Sequence, residues 1–503
     1  MASDPSLGSA PAGPPPPASA DAVLRGDAST SVVRGAVARG ATYAVSTGAI
    51  ALAFLLVFRD LGVVAFGRLS AAIAIAAIVQ SVGDTAINAV AQRLLVSADE
   101  DRRPALAAQL VGLRFVVMPL ATLGGVLFGV VAGYPGDQVA AIALASAGAT
   151  LAVAAAAWTT PLLVELRAAR ASVVELVRQL LIALGLAAAA LWGASLAGYG
   201  AVYVVAGLVA VAVALRLVEP RWRGLALPRP ATMRLVAREA TWLAVAITVN
   251  SLFLKVLTVV ASVATTSGET GLFATAARVV EVIAGLPLLM AAVAFPLLTR
   301  AAEDADHARL SLALDRVVRG VVLLVGGVVV VVVVAAEPLI TFLAGAEFLA
   351  AAPVLQLQAF ALLASTVTQA LVWALVALRG EKPLVVANLS GLAVLVVVGA
   401  VALHQAGARG GAVAAIVGET LLVVATLLVL HRVRRDAVPR LLPLLAAFAA
   451  TLGAALLGTV LPLGPIPAAV VAAVAYAVVV VALRLVPREL LAALPGRGGS
   501  RTT

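Results

Sequence analysis

Apolar residues run along this chain in blocks of about twenty, and short links rich in arginine and proline separate them from Ala41 to Val486. Within each block the few polar residues keep no period of two, so alternating strands are excluded and each block predicts a helix that is apolar on all sides. At 1.5 Å per residue such a helix crosses roughly 30 Å of hydrocarbon. The blocks are centred from near Ile50 to near Ala475. They predict an all-α fold, a polytopic integral membrane protein with about 14 transmembrane helices.

A weak internal repeat organises the blocks. Displacing the sequence by 207 residues lays Phe66 over Phe273, Arg93 over Arg300 and Asp99 over Asp306. Identities are few, and the order of hydropathy carries the repeat. It predicts two pseudo-symmetric six-helix lobes plus two C-terminal helices. The N-lobe takes residues 39–218 (spans 1–6), a cytoplasmic connector 219–240, and the C-lobe 241–433 (spans 7–12). Spans 13 and 14 take 434–487. An even number of spans in each half makes the repeats parallel, about an axis along the membrane normal.

The ends differ from this pattern. Residues 1–38 include the proline-rich stretch "SAPAGPPPPASADA", which buries too little apolar surface to fold and predicts a disordered cytoplasmic tail. No apolar signal core precedes the first span. A second short cytoplasmic tail is expected over 488–503.

Composition agrees with the pattern. Hydrophobic residues make up 63% of the chain and charged residues 12%, far below the roughly 25% of soluble proteins. The net charge of +10 would suggest nucleic acid in a soluble chain, but here the arginines collect in links and report orientation, so no nucleic-acid partner is expected. Of the 35 basic residues, five (Arg59, Arg68, Lys255, Arg278 and Arg409) fall on the side opposite the N-terminal tail. That asymmetry places both termini in the cytoplasm. The arginine, alanine and valine bias fits a bacterial chain, hence the bacterial cytoplasmic membrane. With no cysteine and three scattered histidines, thiolate and histidine metal sites are excluded, and no cofactor is expected.

The polar residues inside the spans are the candidate chemistry. Lys255 stands within "VNSLFLKVLTVV", beside Asn250, and is one of only two lysines in the chain. A cation at that depth costs several kcal/mol unless it snorkels, pairs or faces water. Glu281 and Asp84 are its available partners, and an anionic substrate is the functional alternative. Arg278 and Glu281, at i and i+3, suit an intrahelical pair, as do Glu175 and Arg178 near the end of the fifth span. In the second span Gln80, Asp84, Asn88 and Gln92 recur every four residues along one side, as interhelical glue or as a cavity lining. Gln358, Ser365 and Gln369 share a face of the tenth span. Glu419, alone in the twelfth, and Glu281 are candidate proton or ion sites. No phosphate-binding GxxxxGK[ST] loop exists, and the outer links are too short to carry a membrane glycosyltransferase's catalytic groups. No enzyme activity is expected.

Three stretches resemble one family. "LGVVAFGRLSAAIAIAAIVQSVGDTAINAVAQR" from Leu61 resembles the second span of polysaccharide exporters, and "GLFATAARVVEVIAGLPLLMAAVAFPLLTRAAED" from Gly271 resembles their eighth. "LAGAEFLAAAPVLQLQAF" from Leu343 is similar to the start of their tenth. These are the lipid-linked oligosaccharide flippases of the multidrug/oligosaccharidyl-lipid/polysaccharide (MOP) exporter superfamily, and the likeness runs from about Arg34 to Val433. It implies a V-shaped pair of lobes that open alternately to either face. They would carry a polyprenyl-pyrophosphate glycan across the bilayer between the glycosyltransferases that build it and a polymerase that consumes it. It further implies a cavity in which Lys255, Arg278 and Arg68 of the first lobe meet the pyrophosphate, lined by polar groups such as Gln80, Asp84, Asn88, Asn250, Gln358 and Gln369. Multidrug exporters of the superfamily commonly carry an acid in the first span, whereas Ala41 to Phe58 holds none. The lipid II flippase branch typically has several arginines there, and this chain has only Arg59, at the exit. That branch is the alternative reading, ahead of a drug exporter and of a polysaccharide polymerase or ligase.

Overall fold

The computed structural model describes residues 27–165, 167–239, 242–303, 307–378, 381–435 and 438–485. Both chain ends beyond these bounds, and the side chains of Asp84 and Asn250, lie outside the described residues. The described residues form helices joined by short links. In the first half these are α1 (Asp27–Ser97), α2 (Arg103–Val131), α3 (Gly136–Val164), α4 (Ala168–Leu191) and α5 (Leu196–Leu217). A short connector helix α6 (Pro230–Glu239) precedes α7 (Trp242–Ala264), α8 (Ser267–Glu303), α9 (His307–Val334) and the brief α10 (Ala336–Ala344). Then follow α11 (Ala352–Ala377), α12 (Glu381–Val433), α13 (Leu441–Val460) and α14 (Pro465–Ala482). Helix α1 starts inside the segment read from sequence as a tail, beyond the last of its clustered prolines.

Ten stretches among the described residues are long and apolar enough to cross a membrane. The sequence pattern separates spans 1 and 2, and spans 11 and 12; in the structure each pair is two helical arms that meet directly at a sharp glycine reversal, with no intervening link. In α1 the reversal is at Gly62, whose φ of 65° and ψ of −179° suit glycine alone. The rings of Phe54 and Phe66 lie 6.1 Å apart, although a straight helix would separate these residues by about 18 Å. Gly407, at φ 56°, turns α12 in the same way, and Gly418 of the returning arm rests against Leu395. We call the arms α1a (27–61) and α1b (63–97), and α12a (381–405) and α12b (408–433).

Helices α1 to α5 form one lobe and α7 to α12 the other, while α13 and α14 pack on α9. Helix α1 joins the lobes by packing on both α7 and α8. Large apolar side chains point outward, as at Leu120, Leu123 and Leu127 of α2, which is the surface a hydrocarbon solvent selects. The interior is built from small residues. Gly148, Gly200 and Gly207 bring α3 and α5 together so closely that a Cβ on Gly148 would stand 2.4 Å from the Tyr203 backbone.

The lobes meet closely near the Gly62 reversal. A Cβ on Gly67 would lie 1.9 Å from the carbonyl oxygen of Ser267, and one on Gly271 would lie 2.1 Å from that of Val63. Phe58 and Phe66 of α1 pack edge-on against Phe348 of the C-lobe, at 5.3 and 6.0 Å between centroids. The Tyr134 and Ser262 hydroxyls share a hydrogen bond of 2.6 Å across the same end.

At the opposite, arginine-rich end, the connector is tied to the N-lobe by a ring of charges. Arg167 pairs with Glu165 and Glu219 at 3.3 and 2.9 Å, and Arg221 closes the ring to the same two carboxylates at 3.1 and 2.9 Å. The hydrogen bond from Arg167 holds the Glu219 carboxyl below its ordinary range. Trp222, buried beside them, donates its indole N–H to Glu165.

Gly271→Leu should lower thermal stability in detergent by about 1–3 kcal/mol, because α1 and α8 must separate to admit the side chain. Gly453→Ala, where a Cβ meets nothing within 4 Å, should be neutral or stabilising by up to about 1 kcal/mol. Melting curves of the two variants check this contrast.

Candidate functional site

The deepest charges described where the lobes meet come from α7 and α8. Lys255 of α7 and Arg278 of α8 both bind Glu281 of α8: the lysine ammonium on one carboxylate oxygen, and the guanidinium on the other at 3.0 Å. The three carry one net positive charge, and each side chain is about three-quarters buried. Arg278 also places its guanidinium carbon over the ring of Phe54 from the other lobe, 4.7 Å from its centroid. Arg278 and Glu281 thus form the intrahelical pair their spacing suggests, and Lys255 takes Glu281 as its partner.

Two voids adjoin this triad. Between the lobes, a void of about 230 Å³ is lined by Thr47, Phe54 and Phe58 of α1a, by Arg278 and Glu281, and by Leu343. Within the C-lobe, a small chamber of about 50 Å³ is lined by Phe253, Glu281, Gln358, Ser365 and Glu419. Glu281 belongs to both. Of these two voids Arg278 lines the interlobe one, and Lys255 is in the described lining of neither. Glu419 is 8% exposed and faces the chamber, and Gln358 donates to the backbone carbonyl of Phe273 at 3.4 Å.

A third void continues the interlobe one toward the arginine-rich end. It is an open cleft of about 370 Å³ among α1a, α3 and α4, and shares Thr47 and Ile50 with its neighbour. Thr42, Ser46, Thr47, Thr159, Ser172, Glu175 and Gln179 supply its polar lining. Glu175 holds Arg178 through both carboxylate oxygens, at 3.0 and 2.6 Å, and accepts from Gln179 at 2.6 Å.

The remaining sequence candidates lie apart from the triad. Arg68 reaches Asp137 at the start of α3, at 3.9 Å. Asn88 accepts a hydrogen bond from Arg114, so this member of the second-span stripe ties α1b to α2. Gln80 is half-buried on α1b and Gln369 half-buried on α11, and neither lines the voids above. Asp84 and Asn250 fall outside the described side chains.

Sequence reasoning missed two features. Arg114, in a pattern that otherwise puts arginines in the links, is 1% exposed inside α2 and also donates to the Leu110 carbonyl at 3.3 Å. Its place ten residues beyond Pro104, the proline that starts the helix, was the available signal. The hydroxyl-lined void was missed because serine and threonine in apolar helices read equally well as packing residues.

The model of the family described as "Polysaccharide biosynthesis protein" matches residues 32–302, more than half of the chain. The chain belongs to that family. No curated protein matches this polysaccharide biosynthesis protein in sequence. Its fold is similar to that of the lipid II flippase MurJ in an inward closed conformation, with a TM-score of 0.71 over 90% of this chain and 100% of that one, at 13% identity. It is also similar to an inward-facing multidrug resistance MATE family transporter of the MOP superfamily, with a TM-score of 0.63 over 78% of this chain and 98% of that one, at 15% identity. A MOP superfamily transporter from Pyrococcus furiosus gives 0.59 over 83% and 99%, at 16% identity. The family member described here carries ten membrane-length apolar stretches among its described residues, in a fold similar to that of these MOP superfamily proteins.

Glu281→Gln strands two cations and should cost about 3 kcal/mol of stability, whereas Lys255→Met leaves Glu281 paired with Arg278 and should cost about 1 kcal/mol. Thermal melts of the two variants and of the double variant check the order; equal losses would mean that Glu281 is not the shared partner.

Proposed function

We propose that this protein flips a polyprenyl-pyrophosphate-linked oligosaccharide, a precursor of a cell-surface polysaccharide, from the inner to the outer leaflet by alternating access. The observation that carries the reading is Arg278, a guanidinium at membrane depth facing a void between two lobes of a polysaccharide biosynthesis family member. In a site of low dielectric a charge-assisted contact from Arg278 to a phosphate oxygen is worth more than in water. The single net positive charge of the triad lets the site attract the anion without trapping it. Lys255 supports Glu281 and thereby the orientation of Arg278. Glycosyltransferases at the inner face supply such a lipid, and a polymerase at the outer face consumes it. The arginine-rich end is cytoplasmic in this reading, in the bacterial cytoplasmic membrane.

The fold likeness to the lipid II flippase MurJ favours a second reading, in which the cargo is the peptidoglycan precursor. Glu281 and Glu419, lining one chamber, are the candidate coupling residues in either case: a proton or cation entering the chamber would change how firmly Glu281 holds Arg278.

The test is the leaflet distribution of polyprenyl-pyrophosphate glycans in cells depleted of the protein, probed from outside with an impermeant glycan-modifying enzyme. Loss of the outer pool, with accumulation inside, is expected, and the stranded glycan identifies the cargo. Arg278→Gln should reproduce that loss at near-normal membrane abundance. Unchanged pools would overturn the reading, and an outer pool that accumulates unpolymerised would point to a polymerase.

A further inference from the structure

We infer that the hydroxyl-lined void among α1a, α3 and α4 is a subsite for uncharged sugars, those nearest the phosphate that Arg278 meets. This rests on the flippase reading above and adds where the glycan sits and what chemistry it has.

The first ground is the hydrogen-bonding state of the lining. Thr159 donates to the Ala156 carbonyl at 3.0 Å, and Ser172 donates to that of Ala168 at 3.1 Å. Their hydroxyl protons are spent within their own helices, so each oxygen retains a lone pair for an incoming donor. Gln179 gives one N–H to Glu175 and keeps its amide oxygen and a second N–H. A wall of neutral acceptors with an occasional donor complements sugar hydroxyls, which can do both.

The second ground is charge. Glu175 is the one ionised residue in the described lining, and its carboxylate is held by Arg178 at the edge of the void. Among the described lining residues there is no cation, and Arg178 at the edge is already engaged by Glu175, so none of them is set to balance a carboxylate on the cargo. A uronic acid, or the acidic stem of a peptide-bearing lipid, would lose water against Glu175 and gain no opposite charge in return.

Position is the third ground. Thr47 and Ile50 line both this void and the interlobe one, so the two are neighbouring parts of a groove along α1a. From Phe54, under the Arg278 guanidinium, to Thr47 is seven residues, about 10 Å of helix axis. A phosphate at Arg278 therefore has its first sugars beside Ser46 and Thr47.

The experiment measures binding to purified protein in nanodiscs with three probes. These are a polyprenyl pyrophosphate bearing a short neutral oligosaccharide, the same lipid without sugar, and the same lipid bearing an amino-sugar with an acidic peptide. The parent protein should bind the neutral glycolipid roughly tenfold more tightly than the bare lipid, the worth of one or two net hydrogen bonds. Ser172→Ala with Gln179→Leu should abolish that gain, so that both lipids bind alike, and Arg278→Gln should weaken both. If the double variant does not fold, each single change should remove part of the gain. A parent that binds bare and neutral glycolipid equally, or variants that keep the gain, would overturn the sugar subsite and leave the flippase reading standing. A parent that binds no polyprenyl pyrophosphate would overturn the flippase reading itself. Tightest binding of the peptide-bearing lipid would overturn the neutral subsite and favour the peptidoglycan cargo.

Discussion

A charge within hydrocarbon must find its partner inside the protein, and the placement of this molecule's buried charges follows from that constraint. Lys255 and Arg278 share Glu281; Arg114 meets Asn88; Asp315 of α9 holds Arg319 one turn on and accepts the backbone N–H of Arg440, which anchors the start of α13. Each pairing joins segments distant in sequence or stiffens one helix. At the triad the pairing is incomplete in charge though complete in geometry. Two cations on one carboxylate leave one positive charge to be satisfied, and Arg278 brings it to the wall of the interlobe void.

Small residues meet the complementary demand. Because hydrocarbon offers little hydrophobic drive between helices, close approach must supply dispersion contact instead. Gly67 and Gly271 allow α1b and α8 to cross with no side chain between them, and the aromatic group of Phe54, Phe58, Phe66 and Phe348 fills the space beside that crossing. One end of the interlobe void is therefore closed by rigid, weakly polar contacts, with the Tyr134 to Ser262 hydrogen bond as a directional contact between hydroxyls. Contacts of this kind can separate without exposing a charge to lipid, which is what two lobes that part on one side would require.

Much of this was legible in the chain. Apolar blocks of helical length gave the fold class, and the i, i+3 spacings of Arg278 with Glu281 and Glu175 with Arg178 gave two ion pairs that the structure contains. The partner of Lys255 was one of two acids, and only the packing of α7 on α8 decides between them. The reversals at Gly62 and Gly407 were read as ordinary links, because a single glycine in an apolar run does not reveal its φ angle. Arg114 was misplaced for a related reason: hydropathy averages over a window and cannot tell an arginine at a helix end from one turned inward. The hydroxyl-lined void needed three helices to be assembled before its residues could be seen as one surface.

The arrangement along α1a ties these strands together. Its first turns in the bilayer carry Ser46 and Thr47 to a polar void, its middle carries Phe54 beneath Arg278, and its end carries Phe58 into the aromatic closure before Gly62 reverses the chain. One helix arm thus touches the neutral vestibule, the cationic site and the closed end in sequence. A rotation or tilt of α1a would change all three at once, whereas a movement of α8 alone would carry Arg278 and Glu281 together and preserve their pairing. Because Phe54 and Arg278 belong to different lobes, the cation–π contact between them is the place where a parting of the lobes would be felt first by the charge itself. Losing the ring would leave Arg278 with Glu281 as its described partner and draw the guanidinium back toward α8. In that geometry the charge offered to an anion in the void weakens as the lobes separate, so that binding and release would follow from the same displacement.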